Sequence, residues 1–273
     1  MKESFWDKQG TLANQLWSTG KADFPIYDVH GHMGTHNIIY FNRCEPAEVV
    51  EHLKRTGVSR LVFSHHHVLF GSMRNKDVYE MCRQYPEYLR MYAGIIPRFP
   101  DFIREDLANY DKWAPYCVGL KFLADYYHLP LTDPKWEYAL KWADERGVPC
   151  LFHTWGGSPC DGGKIMYELT QKYQNIKFLL GHCICGEFDE AIKCVNDSPK
   201  QNVWLELTAI PGSRGIVEKL VENTNSKRVL FGTDMPWFDE YQVIGGIMSA
   251  KIDEEAQKDI LYRNAEDIFG KDF

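Results

Sequence analysis

The sequence lacks any block or stripe of lysine and arginine, and this absence bears on its partners. Lys and Arg together number 31 against 38 Asp and Glu, which gives a formal net charge of −7. Nucleic acids and anionic membranes are bound mainly through clustered positive charge, so neither is expected as the main partner. A small molecule is the expected ligand instead.

Long hydrophobic runs and Cys-x-x-Cys pairs are absent as well. No apolar run approaches the ~20 residues of a membrane span, and Met1 to Gly20 is polar, without the apolar stretch of a secretory leader. The eight cysteines are scattered and form no Cys-x-x-Cys pair, which indicates reduced thiols and not a disulfide scaffold. We therefore expect a soluble, cytoplasmic protein.

What the sequence does contain is a succession of short apolar runs that stop at polar or glycine residues, as buried strands do. The eight predicted strands are Ile26–His32, Arg60–Ser64, Met91–Ile96, Cys117–Phe122, Pro149–Thr154, Ile176–His182, Val203–Thr208 and Arg228–Asp234. Helical patterns separate the runs, with proline near the start or glycine at the end, as in residues 46–56, 133–147, 163–173 and 213–222.

Eight alternations of strand and helix predict parallel strands joined by crossover helices, the arrangement that closes a (β/α)8 TIM barrel. A doubly wound open sheet is the alternative. No Pro-, Ser- or Gly-rich linker divides the chain. We therefore predict one α/β domain over residues 1–273, with residues 1–24 as a helical segment before the barrel and residues 253–273 containing a closing helix.

Histidines and carboxylates concentrate at the predicted strand ends, which form the active-site face of such a barrel. His30 and His32 lie one residue apart on the first strand, so their side chains point the same way. The later strands and the loops after them carry His65, His66, His67, Lys121, His153, His182, Glu206 and Asp234. For each histidine alone, a structural role in a strand end or loop is the alternative.

Four of these residues, His30, His32, His153 and Asp234, supply the number and type of ligands that a catalytic Zn²⁺ or a similar divalent ion uses. They come from three strands that meet across a barrel mouth. The pattern therefore predicts a metal site at this mouth.

A family resemblance is carried by an ordered set of motifs: Asp28-x-His30-x-His32, Gly119-x-Lys121-Phe122, His153, Gly181-His182, Phe231-Gly-Thr-Asp234-Met-Pro236 and Asn264–Phe269. The set spans residues 26 to 270 and resembles the amidohydrolase superfamily. It is most similar to the branch of amidohydrolase-2 hydrolases and aminocarboxymuconate-semialdehyde-like decarboxylases.

The resemblance implies a metal-dependent barrel with His30, His32, His153 and Asp234 as ligands and His182 acting on water or substrate. It implies one divalent ion, with Zn²⁺ expected and Mn, Fe or Ni as alternatives. Lys121 either lines the pocket as a positive charge or, when carboxylated, holds a second metal. A homodimer is expected on the same basis.

The predicted reaction is hydrolysis of an amide, ester or lactone bond of a small substrate by metal-activated water, with Asp234 as general base and His182 stabilising the oxyanion. One alternative is non-oxidative decarboxylation of a small aromatic or unsaturated acid, and another is an inactive small-molecule binder on the same scaffold. An aromatic pocket with guanidinium groups for a carboxylate is predicted from Tyr40, Arg98, Trp155, Arg214, Trp237 and Phe238.

Overall fold

The computed structural model describes residues 11–210, 213–271 and 273. Eight strands form one parallel sheet whose spatial order follows the chain. The strands are β1 Tyr27–Met33, β2 Arg60–His65, β3 Leu89–Gly94, β4 Cys117–Phe122, β5 Pro149–Trp155, β6 Lys177–Cys185, β7 Val203–Glu206 and β8 Val229–Leu230.

The segment after β8 returns to β1 and closes the sheet, although β8 itself is only 2 residues long. The backbone N–H of Asp234 donates to the carbonyl of His30 at 2.6 Å, and Gly31 forms a parallel bridge with Met235. The single-domain (β/α)8 barrel that the alternating runs predict is thereby confirmed.

The helices of the described residues surround this sheet. They are α1 Leu12–Thr19, α2 Pro46–Thr56, α3 His66–Leu69, α4 Asn75–Gln84, α5 Pro100–Asn109, α6 Pro134–Arg146, α7 Gly163–Lys172, α8 Phe188–Asn196, α9 Ile216–Asn223, α10 Glu240–Ser249, α11 Glu254–Lys258 and α12 Asn264–Phe269. Within these ranges, no helix combines the length and the apolar character that crossing a bilayer requires.

Helix α6 shows how local sequence sets these elements. Asp133 caps it by accepting the N–H of Lys135, and Pro134 occupies its first position, where a missing N–H does no harm. Gly147 ends it with φ of 64°, a left-handed conformation that glycine adopts without strain.

Helices near both ends of the described residues correspond to the predicted terminal segments. Helix α1 lies in the predicted N-terminal segment 1–24, of which residues 1–10 fall outside the described residues. The predicted closing helix is divided into α11 and α12 by a π-helical turn, Asp259–Arg263. In that turn, the carbonyl of Ile260 accepts the N–H of Phe231 at 3.0 Å, which fastens the turn to the segment after β8.

An apolar layer fills the barrel beneath the strand ends. Val29, Leu151, Leu179 and Leu230 are buried in one cluster with Val62 and Tyr92. The first four precede His30, His153, His182 and Asp234, respectively, by one to four positions along the chain. Packing of this layer therefore supports the polar residues at the mouth.

Candidate metal centre

His30, His32 and Asp234 meet at the mouth of the barrel. Nε2 of His30 lies 3.3 Å from Asp234 Oδ1, and Nε2 of His32 lies 3.0 Å from the same oxygen. All three side chains are buried, and their three ligand atoms lie within 4.8 Å of one another. Two imidazoles and a carboxylate form a donor set that suits Zn²⁺ or Mn²⁺.

The neighbours of the two imidazoles determine which nitrogen faces Asp234. Nδ1 of His30 lies 2.7 Å from Oε2 of Glu206, and Nδ1 of His32 lies 3.2 Å from the carbonyl oxygen of Ser64. Because carboxylate and carbonyl oxygens accept, each Nδ1 donates and each Nε2 carries the lone pair. Burial, together with the nearby charge of Lys121, holds the pKa of both histidines well below the usual range, so both are neutral.

The contacts of Glu206 support this assignment. Oε1 accepts the N–H and the hydroxyl of Thr208 at 2.7 and 2.6 Å, and Oε2 also accepts the N–H of His182 at 3.3 Å. Burial raises the pKa of Glu206 to about 8, but both oxygens already act as acceptors, which leaves a carboxyl proton without a place to go. Glu206 therefore serves as the anionic acceptor for His30.

These tautomers give a physical test of whether the residues fit a cation. The lone pair of His32 Nε2 and the carboxylate oxygen Asp234 Oδ1 are both acceptors, yet they lie 3.0 Å apart. Two buried acceptors repel each other at this separation unless a positive charge lies beside both. The donor set therefore fits a divalent metal ion.

Lys121 lies on the other side of His30. Its Nζ is 2.9 Å from His30 Nε2, and the side chain is fully buried in β4. Burial lowers the pKa of Lys121 to about 8, although the carboxylates of Asp234, Glu206 and Asp161 act in the opposite direction. His30 is thus held between an acid and a base that are both inside the barrel.

His182 faces Asp234 from β6, with Nε2 3.9 Å from Asp234 Oδ2. Neither of its ring nitrogens has a hydrogen-bond partner within the described part of the chain. Burial, followed by the influence of His153, holds its pKa well below the usual range. His182 is therefore a neutral imidazole whose polar atoms are free for a substrate or water.

The backbone around His182 is strained. His182, Cys183 and Ile184 have φ of 62°, 48° and 51°, which is the left-handed region that non-glycine residues rarely adopt. Such residues cost about 1–3 kcal/mol each and cluster at functional sites. The N–H of Ile184 donates to the hydroxyl of Thr154 at 2.9 Å, which helps to hold this turn.

His153 lines the same mouth but makes a different contact. Its ring centroid is 5.0 Å from that of His182, while its Nδ1 lies 2.9 Å from Oδ2 of Asp161 and 3.8 Å from Oδ2 of Asp125. Its ring nitrogen lies close to these two carboxylates and not to the ligand atoms of His30, His32 and Asp234. The role of His153 as a further ligand stays a prediction.

The first and last sequence motifs of the mouth hold each other in place. Asp28 Oδ1 accepts the N–H groups of His30 and Thr233 at 3.0 and 3.2 Å, and its Oδ2 accepts the Thr233 hydroxyl at 2.5 Å. Gly232 lies so close to Glu206 that a Cβ at this position would overlap the carboxylate. Asp28 therefore ties β1 to the segment that presents Asp234.

His66, the second of the three consecutive histidines at the end of β2, supports the site from behind. The ring of His66 stacks on that of His32 with centroids 4.6 Å apart and planes 5° from parallel. Nδ1 of His66 lies 2.9 Å from the carbonyl oxygen of Gly34. His66 thus limits the rotation of His32.

A cavity of about 250 Å³ opens above these residues. Its lining consists of His32, Leu123, Tyr126, His153, Trp155, His182, Ala209, Asp234, Trp237 and Phe238. The polar groups lie together with aromatic walls around them, and the volume suits a small molecule.

The predicted substrate pocket is brought together only in part. Trp155, Trp237 and Phe238 line the cavity. The predicted arginines are not among its described lining residues: Arg98 is exposed, with its guanidinium 5.7 Å from the ring of Tyr127, and Arg214 is exposed just before α9. Tyr40 is 87% exposed. The role of Arg98 and Arg214 in holding a carboxylate stays a prediction.

Several residues of the candidate site are not identified by the sequence pattern. Ser64 and Thr208 end predicted strands, so their place at the mouth was available from the sequence, although hydroxyl groups do not stand out as histidines do. Tyr126 lies in a short 3₁₀ turn between β4 and α6, and Asp161 lies in the loop after β5; the apolar pattern determines the course of neither segment.

The loop after β8 is fastened from outside by α2. His52 Nε2 lies 2.6 Å from Glu240 Oε2 and 3.2 Å from Asp239 Oδ2, while Arg55 Nη2 approaches His52 Nδ1 at 2.5 Å. The bond to Glu240 raises the pKa of His52 above its ordinary value, and the arginine opposes this rise. His52 is thus more stably protonated in the folded chain than in the unfolded one.

This contact predicts a pH dependence of stability. A raised pKa gives stability that is fully present below about pH 6.5 and is lost as the pH rises through the folded pKa. Wild type is expected to exceed His52→Gln by up to about 1 kcal/mol at pH 6, with a smaller difference at pH 9. Urea unfolding at both pH values measures it; a difference that grows toward alkaline pH would contradict it.

The sequence and the fold of this chain are similar to those of known proteins. The chain matches the amidohydrolase family profile Amidohydro_2 over residues 27–271. No curated protein matches it. Among solved structures, 2,6-dihydroxybenzoate decarboxylase from Rhizobium has a TM-score of 0.71 at 14% identity, with 91% of this chain and 99% of that chain covered.

Two further structures show the same fold. A probable 2-pyrone-4,6-dicarboxylic acid hydrolase from Acinetobacter baumannii, with citric acid bound, has a TM-score of 0.67 at 16% identity and covers 90% of this chain and 100% of its own. A dihydroxybenzoic acid decarboxylase from Polaromonas sp. JS666, with manganese and 2-nitroresorcinol, has a TM-score of 0.72 at 14% identity, with coverage of 90% and 96%. Because the profile match extends over nearly the whole chain, this protein belongs to the amidohydrolase family.

Proposed function

We propose that this protein is a metal-dependent hydrolase that cleaves an amide, ester or lactone bond of a small substrate. The position of Asp234 carries the proposal. Its Oδ1 lies within 3.3 Å of the Nε2 atoms of His30 and His32, while its Oδ2 faces His182 across 3.9 Å. The Asp234 carboxylate thus lies near the Nε2 atoms of His30 and His32 and also faces His182, which lines the cavity.

The metal-holding residues in this proposal are His30 and His32 through Nε2, Asp234 through Oδ1, and His153 as a further ligand. A bound divalent ion lowers the pKa of water and polarises a carbonyl group. We propose Zn²⁺ because of the two imidazole donors, with Mn²⁺ as the alternative because the Polaromonas enzyme of the same fold holds manganese.

Side chains at the mouth of the barrel have the remaining catalytic roles in this proposal. Asp234 Oδ2 accepts a proton from the attacking water and returns it to the leaving group, a role worth about 10²- to 10⁴-fold in rate. His182 is neutral and has no competing partner among the described residues, so a ring N–H can donate to the oxyanion that develops. Trp155, Trp237 and Phe238 wall the cavity, exclude water and favour a flat substrate.

Decarboxylation of a small aromatic or unsaturated acid is the second candidate, because the cavity walls are aromatic. An apolar wall disfavours a bound carboxylate relative to neutral CO₂. The C–C bond to the carboxylate would break, its electron pair would stay on the ring or alkene carbon, and a proton that solvent water supplies through His182 or Asp234 would replace the CO₂. Two of the solved structures of this fold are described as decarboxylases of aromatic acids.

Removal of the metal is expected to reduce turnover about 10³-fold or more, since metal assistance supplies several kcal/mol of transition-state stabilisation. The enzyme would be treated with a chelator, dialysed and assayed before and after addition of Zn²⁺ or Mn²⁺. A panel of lactones, amides, esters and aromatic acids in H₂¹⁸O distinguishes the two reactions: hydrolysis places ¹⁸O in the organic product, and decarboxylation releases CO₂ and leaves the organic product without ¹⁸O. Full turnover by metal-free protein would contradict the proposal.

A further inference from the structure

The loop after β5 carries a buried carboxylate that the chemistry above does not use. Asp161 is 0% exposed, and its Oδ2 lies 2.9 Å from Nδ1 of His153. Its Oδ1 has no hydrogen-bond partner within the described residues. A buried carboxylate needs compensation for its lost hydration, and among the described residues the one hydrogen bond of this carboxylate is with His153.

The loop is built to hold Asp161 at this position. The hydroxyl of Ser158 accepts the N–H groups of Cys160 and Asp161 at 3.0 and 3.2 Å, and it donates to Asp125 Oδ1 at 2.9 Å. At Gly162, a Cβ would lie 2.6 Å from the carbonyl oxygen of Ser158, so the turn admits only glycine without rearrangement. The placement of Asp161 therefore follows from the backbone of the loop.

The contact decides which nitrogen of His153 is protonated. A carboxylate only accepts, so Nδ1 of His153 carries the hydrogen and Nε2 carries the lone pair. The rings of His30 and His32 show the same arrangement: Nδ1 is held by Glu206 and Ser64, respectively, and Nε2 carries the lone pair. His153 lies in the wall of the cavity that these residues share.

We propose that Asp161 is a positioning residue for the metal centre: it holds His153 in the Nδ1–H tautomer and in a fixed ring orientation, so that Nε2 is the atom that binds the ion. The proposal rests on the metal-dependent function proposed above. It assigns Asp161 a role in metal affinity and none in touching the substrate.

The test compares Asp161→Asn with Asp125→Asn. Asp125 lies 3.8 Å from the same Nδ1, beyond hydrogen-bond distance, and is only partly buried, so its variant removes an equal charge without removing the bond. Zn²⁺ affinity, measured against a chromophoric chelator, is expected to fall about 10- to 100-fold in Asp161→Asn and to stay near wild type in Asp125→Asn. The visible spectrum of Co²⁺-loaded protein is expected to change only in Asp161→Asn.

A second measurement is made on protein that retains Asp161, so it does not require that a variant of this residue folds. In metal-free wild type labelled with ¹⁵N-histidine, and assigned with His153→Gln, the Nδ1 resonance of His153 is expected in the range of a protonated nitrogen and Nε2 in that of a bare one. The opposite tautomer would overturn the proposal.

The remaining outcomes separate the two proposals. Wild type that binds no metal defeats the proposed function and this inference together. Wild type that binds metal while Asp161→Asn binds equally well, or while both variants lose affinity equally, defeats only the role of Asp161. If wild type binds a second equivalent of metal and both variants lose it, the carboxylates of Asp161 and Asp125 are ligands themselves. This result would also overturn the positioning role.

Discussion

Asp234→Asn is expected to abolish metal-induced stabilisation and to reduce turnover about 10³-fold or more, yet to make the metal-free protein slightly more stable. The carboxylate is the proposed ligand and the proposed general base, and each role alone is worth orders of magnitude in rate. In the metal-free state, however, Asp234 Oδ1 lies 3.0 Å from the lone pair of His32 Nε2. An asparagine amide can donate to that nitrogen and replace repulsion by a hydrogen bond worth about 1 kcal/mol.

Thermal unfolding with and without saturating Zn²⁺ measures both effects in one experiment. Wild type should gain stability with Zn²⁺ as RT ln(1 + [L]/Kd) requires, and Asp234→Asn should gain little. Asp239→Asn is the matched control, because Asp239 lies in the same loop but is half-exposed and caps α10, a role that asparagine also performs. A full metal-induced shift in Asp234→Asn would show that Asp234 is not a ligand.

The barrel is predictable from the sequence because each strand is a short apolar run that ends at a polar or glycine residue. Its exact strand limits are not. β6 extends to Cys185, three residues past the predicted end, through a left-handed turn that leaves no trace in an apolar pattern. The run predicted to end at Asp234 is a regular strand only over Val229–Leu230, since Asp234 itself has φ of 57°.

The residues of the candidate site also differ in how far the sequence predicts them. His30 and His32 are predictable from the two-residue period of a strand, and Asp234 from its place at the last strand end. The partners that fix their tautomers are not: Ser64 reaches His32 through the register of β1 and β2, and Glu206 reaches His30 from β7, which is not adjacent to β1 in the sheet. Arg98 and Arg214 illustrate the limit for loops, where residue type suggests a carboxylate clamp but backbone course decides which side chains reach the cavity.

His30 is buried between two ionisable groups, and its replacement is expected to destabilise the protein strongly. Glu206 Oε2 and Lys121 Nζ contact opposite nitrogens of its ring, and all three side chains are 0% exposed. His30→Leu removes a hydrogen-bond partner from both groups at once. Because a buried charge left without its partner is strongly destabilising, the free energy of unfolding of the metal-free protein is expected to fall by about 3–5 kcal/mol.

His32→Leu is the matched control, two positions along the same strand. Its ring contacts the neutral Ser64 on one side and Asp234 on the other, so its loss is expected to cost only about 1–3 kcal/mol. Both variants should lose metal binding, which separates the role of each histidine as a ligand from its role in stability. Urea unfolding in the presence of a chelator measures the difference.

The triple variant His30→Leu, Lys121→Met, Glu206→Gln tests the cause of the instability. Methionine fills the volume of the lysine without its charge, and glutamine still accepts from Thr208, so the variant is expected to recover most of the stability lost in His30→Leu. It should bind no metal. If it stays as unstable as His30→Leu, the loss comes from the cavity left by the imidazole and not from the unpaired acid and base, and the barrel mouth owes its stability to packing alone.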